Sequence, residues 1–307
     1  MRRPPALPRH LLSQPFTIVQ AKASGLTRRR TRAKDLNAPS HGIRVPAAIE
    51  ITLLVRARSL ADATGAIVSH LTAAALWGFP LPLCFEAHVL IHLTCLPGGR
   101  AVRRKDVAGH ELALVPDEIT EGRYVTCTSP LRTWFDLAGI LSLDELVIAG
   151  DFLLRRRNPL STLAALDKFL ATKAGRPRYR KVMAARALVR PGTDSPKETE
   201  LRLLLLKHGI PEPSINEPMF DETGGWIQDP DMSYEELKIA VQYDGGHHAT
   251  AAQRRSDIFR DENARDLGWL VVVLTQWDLD PFGPGMEPNA VTRVRAALQD
   301  RGWSSGT

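Results

Sequence analysis

The chain has 307 residues, a formal net charge of +6 and a hydrophobic content of 44%. This length favours two or three domains, and the hydrophobic content is enough to build their cores. No apolar run is long enough for a transmembrane helix, and residues 11–20 are too interrupted for a secretory signal. Cys84, Cys95 and Cys127 lack the number and spacing of a disulfide framework or a C-x-x-C zinc site. These features predict a cytoplasmic protein with reduced thiols and no membrane partner.

Positive charge is concentrated at the N-terminus. Nine lysines or arginines and no acidic residue lie between Met1 and Lys34. Such a patch attracts phosphate groups and releases counterions when it binds them. The alternative is a solvated basic tail with no partner.

The elements predicted around this patch have the order of a winged helix-turn-helix. Residues 15–23 have helical apolar spacing with Thr17 as the N-cap, and a second helix is predicted over residues 27–36. A short strand is predicted over residues 43–46. In such a motif the second helix enters the major groove and the wing contacts backbone or minor groove. The arginines predicted to contact DNA are Arg28, Arg29, Arg30 and Arg32 on the helix and Arg44 on the wing. The alternative is a basic surface helix without sequence specificity.

The middle of the chain alternates helices and strands. Helices are predicted over residues 47–60, 71–77, 130–141 and 143–155, strands over 86–94 and 107–114, and interrupted helices over 158–189. Ser69 is the predicted N-cap of the second of these helices, and Gly78 ends it.

Several motifs in this stretch are shared with a family of regulators. They are Ser69-His70-Leu71-Thr72-Ala73-Ala74, Trp77-Gly78-Phe79-Pro80, Thr128-Ser129-Pro130-Leu131-Arg132-Thr133 and Asp136-Leu137-Ala138. Over residues 10–155 the chain resembles type IV abortive-infection antitoxin-like proteins. The resemblance implies a DNA-binding regulatory module and is compatible with a toxin or phage-defence partner. His70 and Thr72 fit a catalytic role, but a capped helix start with a hydrogen-bonded histidine is the favoured interpretation.

The most informative stretch runs from Asp231 to Asp244. Asp231 precedes a predicted hairpin, and Gln242 lies eleven residues later on an apolar strand predicted over residues 237–243. Two antiparallel strands bring these side chains face to face, and Gln242 and Asp244 point to the same side. Carboxylates are costly to bury unpaired, so such a cluster indicates a cation or a hydrogen-bond partner. This layout is typical of a divalent-metal nuclease site.

Further motifs extend this pattern along the C-terminal third. They are Ser195-Pro196-Lys197-Glu198, Gly209-Ile210-Pro211, Gln242-Tyr243-Asp244-Gly245, His248, Asp257, Arg260 and Gly268-Trp269. Residues 195–300 resemble the restriction-endonuclease-like superfamily, in the group related to the very-short-patch-repair endonuclease. The resemblance implies an α/β/α core with a mixed central sheet and metal-dependent hydrolysis of DNA.

The resemblance implies a metal site built from oxygen ligands. Asp231 is the principal ligand of Mg²⁺, with Mn²⁺ as the alternative ion, and Gln242 offers its amide oxygen. The Tyr243 carbonyl is a backbone ligand, and Glu198 assists at the metal or through a water. The chain departs from the family at Gln242, where glutamate is usual. The loss of one negative charge should weaken Mg²⁺ binding, yet related enzymes tolerate glutamine.

The remaining catalytic candidates surround this metal site. His248 is suited to orient or deprotonate the attacking water, because its pKa lies near neutrality. Asp244 stands where the superfamily often has lysine. Asp257 and Arg260 are expected to orient His248 or grip phosphate, and the alternative is an ordinary i, i+3 ion pair.

The sequence therefore predicts a multi-domain α/β protein in four parts. They are a winged helix-turn-helix at 10–46, an antitoxin-like α+β region at 47–157, a helical linker at 158–194 and a restriction-endonuclease-like domain at 195–302. The predicted function is a DNA-binding protein with a metal-dependent endonuclease domain. The alternative is an antitoxin-like transcriptional regulator whose nuclease-fold domain is catalytically impaired. RNA as the substrate and a homodimeric state stay open.

Overall fold

The computed structural model describes residues 4–85, 90–122, 124–245 and 251–304, with only the backbone described for 251–258. The chain divides into two compact units, Met1–Leu141 and Ser142–Thr307. Each contains helices and strands, which confirms a mixed α/β protein, whereas the four-part division stays a prediction. No helix in the described part of the chain is long and apolar enough to cross a membrane.

The first unit alternates short helices and short strands. Its elements are α1 (Arg9–Leu12), β1 (Phe16–Thr17), α2 (Ile18–Ala23), β2 (Leu36–Asn37), β3 (Ile43–Pro46), α3 (Leu53–Thr64), β4 (Ile67–Val68), α4 (His70–Trp77), β5 (Ile91–Cys95), β6 (Val107–Glu111), β7 (Ile119–Glu121), β8 (Thr126–Thr128) and α5 (Pro130–Leu137). Strands β1, β3 and β2 form an antiparallel sheet in that order. A second sheet has the order β6-β5-β4-β8-β7 and is mixed, because β5–β6 and β4–β8 are parallel.

The start of the first unit confirms one predicted helix and corrects another. Thr17 caps α2 through a capping box with Gln20, as the sequence predicts. The helix predicted over 27–36 is wrong, because the structure has there only one 3-10 turn, Arg30–Arg32. Arg30 turns inward, and its guanidinium makes two hydrogen bonds of 2.9 and 2.7 Å to the Asp35 carboxylate. This pairing favours the compact turn over a regular basic helix.

Two further predicted boundaries shift in the middle of this unit. The helix predicted from residue 47 begins at Leu53, because Thr52 caps it by accepting a hydrogen bond from the Val55 N–H. The strand predicted over 86–94 is β5, which begins at Ile91; residues 86–89 lie outside the described chain. Leu60 of α3 packs with Ile91 and Leu93 of β5 in one hydrophobic core.

The second unit continues with the same alternation. Its elements are α6 (Leu143–Leu153), α7 (Leu163–Ala171), α8 (Tyr179–Leu188), α9 (Pro196–Lys207), β9 (Ser214–Ile215), β10 (Met219–Phe220), β11 (Trp226–Gln228), β12 (Met232–Tyr234), β13 (Ile239–Asp244), α10 (Ala251–Asp266), β14 (Leu270–Thr275), α11 (Gln276–Leu279) and α12 (Asn289–Asp300). The main sheet has the order β14-β13-β12-β9. Strands β13 and β14 are parallel and the other neighbours antiparallel, so this sheet is also mixed.

Helices cover both faces of the main sheet. On one face, Leu201 of α9 and Val294 of α12 pack with Val241 of β13. On the other face, Ala264 of α10 packs with Ala240 of the same strand. Neighbouring residues of β13 thus enter different cores, as the period of a strand requires.

A buried ion pair connects α6 to α9 inside this unit. The side chains of Asp151 and Arg202 are fully buried, and Arg202 Nη2 lies 2.8 Å from Asp151 Oδ2. The same carboxylate accepts hydrogen bonds from the Thr199 hydroxyl at 2.9 Å and the Arg190 N–H at 2.8 Å. Burial raises the pKa of Asp151, and these partners oppose that effect. The carboxylate is therefore satisfied on both of its oxygens.

The variant Arg202→Leu should destabilise the second unit strongly, because it leaves Asp151 buried without its cation. Removing one partner of a buried pair costs about 3–5 kcal/mol, measured here as the free energy of unfolding in urea. Arg186→Leu is the matched control, since Arg186 pairs with the exposed Asp167, and should cost under about 1 kcal/mol. Equal effects in the two variants would contradict this assignment.

Candidate metal centre of the second unit

The hairpin formed by β12 and β13 places the predicted ligands together. Met232 lies opposite Val241 in the antiparallel register. The residues one step beyond this pair, Asp231 and Gln242, are therefore opposite each other at the open end of the hairpin. The face-to-face arrangement predicted from the eleven-residue spacing is confirmed.

Asp231 is held in this position by the backbone of the neighbouring strand. Its Oδ2 accepts a hydrogen bond of 2.6 Å from the Tyr243 N–H. Its other oxygen, Oδ1, makes no hydrogen bond to the part of the chain that the structure describes. The N–H and C=O of one strand residue point to the same neighbouring strand, so the Tyr243 carbonyl also faces the Asp231 side.

The pKa of Asp231 is displaced upward, mainly by burial. Burial raises this pKa to about 7, and the negative charges of Glu198 and Asp194 add to the effect. The Tyr243 N–H and the positive charge of Arg156 act in the opposite sense. Asp231 is thus a buried carboxyl group with acidic neighbours.

Glu198 lies at the first turn of α9 and is fixed by its surroundings. Its backbone N–H donates to the N-cap hydroxyl of Ser195 at 3.2 Å, which confirms the helix start predicted at Pro196. Its Oε2 accepts hydrogen bonds from the Asp194 N–H at 2.9 Å and from Asn216 Nδ2 at 2.7 Å. The second oxygen, Oε1, makes no hydrogen bond within the described residues, so it is available to a ligand.

Gln242 is oriented by a glutamine that the sequence analysis did not single out. Its Nε2 donates to Gln228 Oε1 at 3.4 Å, which leaves the Gln242 amide oxygen as an acceptor. Gln228 is only 3% exposed, and its own Nε2 is buried with no hydrogen-bond partner among the residues that the structure describes. The available signal was its place at the end of an apolar strand, three residues before Asp231.

Arg156 is a second residue that the sequence did not reveal. Its guanidinium donates to Asp194 at 2.5 Å and to Asp229 at 3.0 Å. It therefore neutralises two carboxylates near Asp231 without a hydrogen bond to Asp231 itself. No local signal identifies it, because its partners lie 38 and 73 residues further along the chain.

The remaining predicted site residues follow Gln242 along the chain. Asp244 is exposed at the end of β13, and Arg260 is half-buried on α10. His248 and the side chain of Asp257 lie outside the described residues. Their roles as water-activating and orienting groups stay predictions.

The donor set of this site fits a hard divalent cation. Mg²⁺ prefers oxygen ligands and keeps several waters. Asp231 Oδ1, Glu198 Oε1 and the Gln242 amide oxygen are available, and all are oxygens. A bound cation would offset both the burial and the neighbouring negative charges that raise the pKa of Asp231.

Some of the predicted DNA-contacting arginines of the first unit are exposed, and others make hydrogen bonds within the unit. Arg28, Arg29 and Arg32 are exposed, as a DNA-contacting role requires. The prediction that Arg30 faces DNA is wrong, because its side chain is 4% exposed and bound to Asp35 and to the Pro5 carbonyl. The Arg44 guanidinium is partly engaged by the backbone carbonyls of Thr31 and Ile43.

Comparison with known proteins identifies relatives but no activity. No family model matches the chain. Uncharacterized protein MT2308 and Uncharacterized protein Rv2248, from two strains of Mycobacterium tuberculosis, are 29% identical over 213 residues. The match covers 68% of this chain and 73% of each relative.

The metal-free protein should lose stability as the pH rises toward 7, because folded Asp231 holds a proton that the unfolded chain releases. The folded pKa is about 7 and the ordinary value 3.8, so this stabilisation is complete below about pH 4 and lost through pH 7. Urea unfolding in EDTA across this range, compared with Asp231→Asn, isolates the contribution. Addition of Mg²⁺ at pH 8 should restore the stability of the wild type but not that of Asp231→Asn. Parallel pH profiles for the two proteins would contradict the assignment.

Proposed function

We propose that the second unit is a metal-dependent endonuclease that hydrolyses DNA phosphodiester bonds. The observation that carries the proposal is the meeting of Asp231, Glu198 and Gln242 at one end of the β12–β13 hairpin. A buried carboxylate with an open oxygen, a raised pKa and a second acidic neighbour is typical of a functional site.

The order of elements around the site supports this proposal. Helix α9 precedes the antiparallel strands β9, β12 and β13, and α10 then leads to the parallel strand β14. This order agrees with the mixed central sheet and flanking helices that the resemblance to restriction-endonuclease-like proteins implies.

The residues of the site have separable roles in this chemistry. A bound Mg²⁺ would neutralise charge at the phosphoryl group and lower the pKa of a bound water. Asp231 and Glu198 would hold the cation, and the Tyr243 N–H fixes the rotamer of Asp231. Gln228 fixes the amide of Gln242 so that its oxygen is available to the same cation.

One observation favours the alternative, an antitoxin-like regulator with an impaired nuclease fold. The side chain opposite Asp231 is the neutral Gln242 and not a carboxylate. Fewer negative ligands bind Mg²⁺ more weakly, and a site that binds metal weakly supports DNA binding without cleavage.

Cleavage assays on supercoiled plasmid and on duplex, mismatched and single-stranded DNA separate the two functions. With Mg²⁺ or Mn²⁺ the wild type should cut and EDTA should stop it. Asp231→Ala should reduce the rate by more than about 100-fold, since losing a residue that only supports a ligand already costs about 10–100-fold. Asp300→Ala removes an exposed carboxylate at the end of α12 and should cut normally.

The variant Gln242→Glu decides between the alternatives. DNA binding without cleavage in the wild type, together with cleavage gained in Gln242→Glu, would establish the regulator. Metal-dependent cleavage that survives Asp231→Ala would contradict the proposed site altogether.

We further propose that the first unit contacts DNA through its exposed arginines. Arg28, Arg29 and Arg32 lie on the turn between α2 and β2 with their side chains exposed. Arg30 contributes indirectly, because its ion pair with Asp35 fixes the turn that carries them. Guanidinium groups bind phosphate and guanine through paired hydrogen bonds.

The triple variant Arg28→Ala, Arg29→Ala, Arg32→Ala should weaken DNA binding. If each arginine contacts one phosphate, the slope of log affinity against log salt should fall by about 3, measured by fluorescence anisotropy. The matched control replaces the exposed Arg176, Arg178 and Arg180 of the second unit, which changes the charge equally. An equal loss in both triple variants would mean that net charge alone governs binding.

A further inference from the structure

Three histidines of the first unit form a cluster that the nuclease proposal does not use. One ring nitrogen from each of His70, His92 and His110 can be chosen so that all lie within 4.8 Å of one another. His92 Nδ1 and His110 Nε2 are 3.0 Å apart. The rings of His70 and His110 stack with their centroids 3.8 Å apart.

The strand pattern of the mixed sheet explains why two of these side chains meet. His92 lies between the fully buried Ile91 and Leu93 of β5, so it points to the opposite face of the sheet. Strand β6 runs parallel to β5 with His110 in register with Thr94. His92 and His110 therefore share one face at neighbouring positions.

The third histidine is held by a strained backbone and a buried hydroxyl pair. His70 is the first residue of α4 and has a φ of +47°, a left-handed conformation that is strained for a non-glycine residue. Ser69 does not cap α4 with its side chain. Its hydroxyl instead lies 2.9 Å from His70 Nδ1 and accepts a hydrogen bond of 2.7 Å from Thr94. Ser69 thus fixes the ring of His70.

We propose that His70, His92 and His110 form a zinc site in which three imidazoles bind the ion and an external ligand completes the coordination. Imidazole nitrogens suit Zn²⁺ and other late first-row metals, whereas Mg²⁺ prefers oxygen. Three histidines with an exchangeable fourth ligand are one of the arrangements used by catalytic zinc.

The distances in the cluster are close to those of a zinc site. Zn–N bonds of about 2.0–2.1 Å in tetrahedral geometry place ligand nitrogens about 3.3 Å apart. The separation of 3.0 Å between His92 Nδ1 and His110 Nε2 is close to that value, and one nitrogen of each of the three rings lies within 4.8 Å of the other two.

A neighbouring cavity provides space for the external ligand that would complete the zinc coordination. His92 and Thr72 line a cavity of about 530 Å³ whose other walls are mostly apolar, including Leu71, Phe79 and Leu90. The Thr72 hydroxyl accepts a hydrogen bond of 2.8 Å from the His92 N–H, so it positions the strand at the cavity edge. The geometry fits water or a small, largely apolar molecule with one zinc-binding group.

Zinc titration of the full-length protein tests this site separately from the nuclease centre. The parent protein carries Asp231→Ala, which removes the principal ligand of the other site, and is stripped of metal before competition with a fluorescent chelator. One equivalent of Zn²⁺ is expected to bind. Substitution of His92 or His110 by glutamine should weaken that binding by more than about 100-fold. The exposed His41, replaced by glutamine, is the matched control and should leave the affinity unchanged.

Cobalt supplies a readout of the ligands themselves. Co²⁺ in the parent protein should give the intense visible absorption of a four-coordinate site, and that absorption should be absent in His110→Gln. Circular dichroism identifies variants that fail to fold. His110 is half-exposed, so the His110→Gln variant is expected to fold. No zinc binding in the folded parent, or equal zinc affinity in folded His110→Gln, would overturn the proposal.

Discussion

The cost of burying a carboxylate is the constraint that organises the second unit. Both oxygens of Asp151 are hydrogen-bonded, with Arg202, the Thr199 hydroxyl and the Arg190 N–H around them. Asp231 accepts one hydrogen bond within the described chain, from Tyr243, and its neighbours include further acidic groups. The same unit thus contains a buried carboxylate with hydrogen bonds to both oxygens and one with a hydrogen bond to a single oxygen. A cation at the proposed metal site would offset the burial of the second carboxylate.

The two candidate metal sites differ in the chemistry that their surroundings impose. The hairpin end in the second unit presents carboxylate, amide and backbone oxygens, which favour a hard cation that retains water. The mixed sheet of the first unit presents imidazole nitrogens beside a mostly apolar cavity, which favours zinc. The two proposed sites therefore differ in the metal that their ligand atoms prefer.

The features that the sequence predicted well depend on local periodicity. The meeting of Asp231 and Gln242 follows from the two-residue period of strands and the length of one hairpin, and the start of α9 follows from Ser195 and Pro196. The features that it missed depend on contacts between distant residues. Arg30 pairs with Asp35 and prevents the regular helix that its neighbours favour. The three histidines come from three separate elements, so their spacing resembles no metal motif.

Gln242 is best understood through the electrostatics of Asp231. The pKa of Asp231 is already raised to about 7 with Glu198 and Asp194 nearby. A third carboxylate at position 242 would raise it further, because like charges disfavour ionisation, and a proton would then compete with the metal at neutral pH. The neutral amide reduces the attraction for Mg²⁺ but also limits this competition. A glutamine is therefore compatible with the proposed metal site, where the charge of Glu198 already acts on Asp231, and its presence alone does not indicate a lost activity.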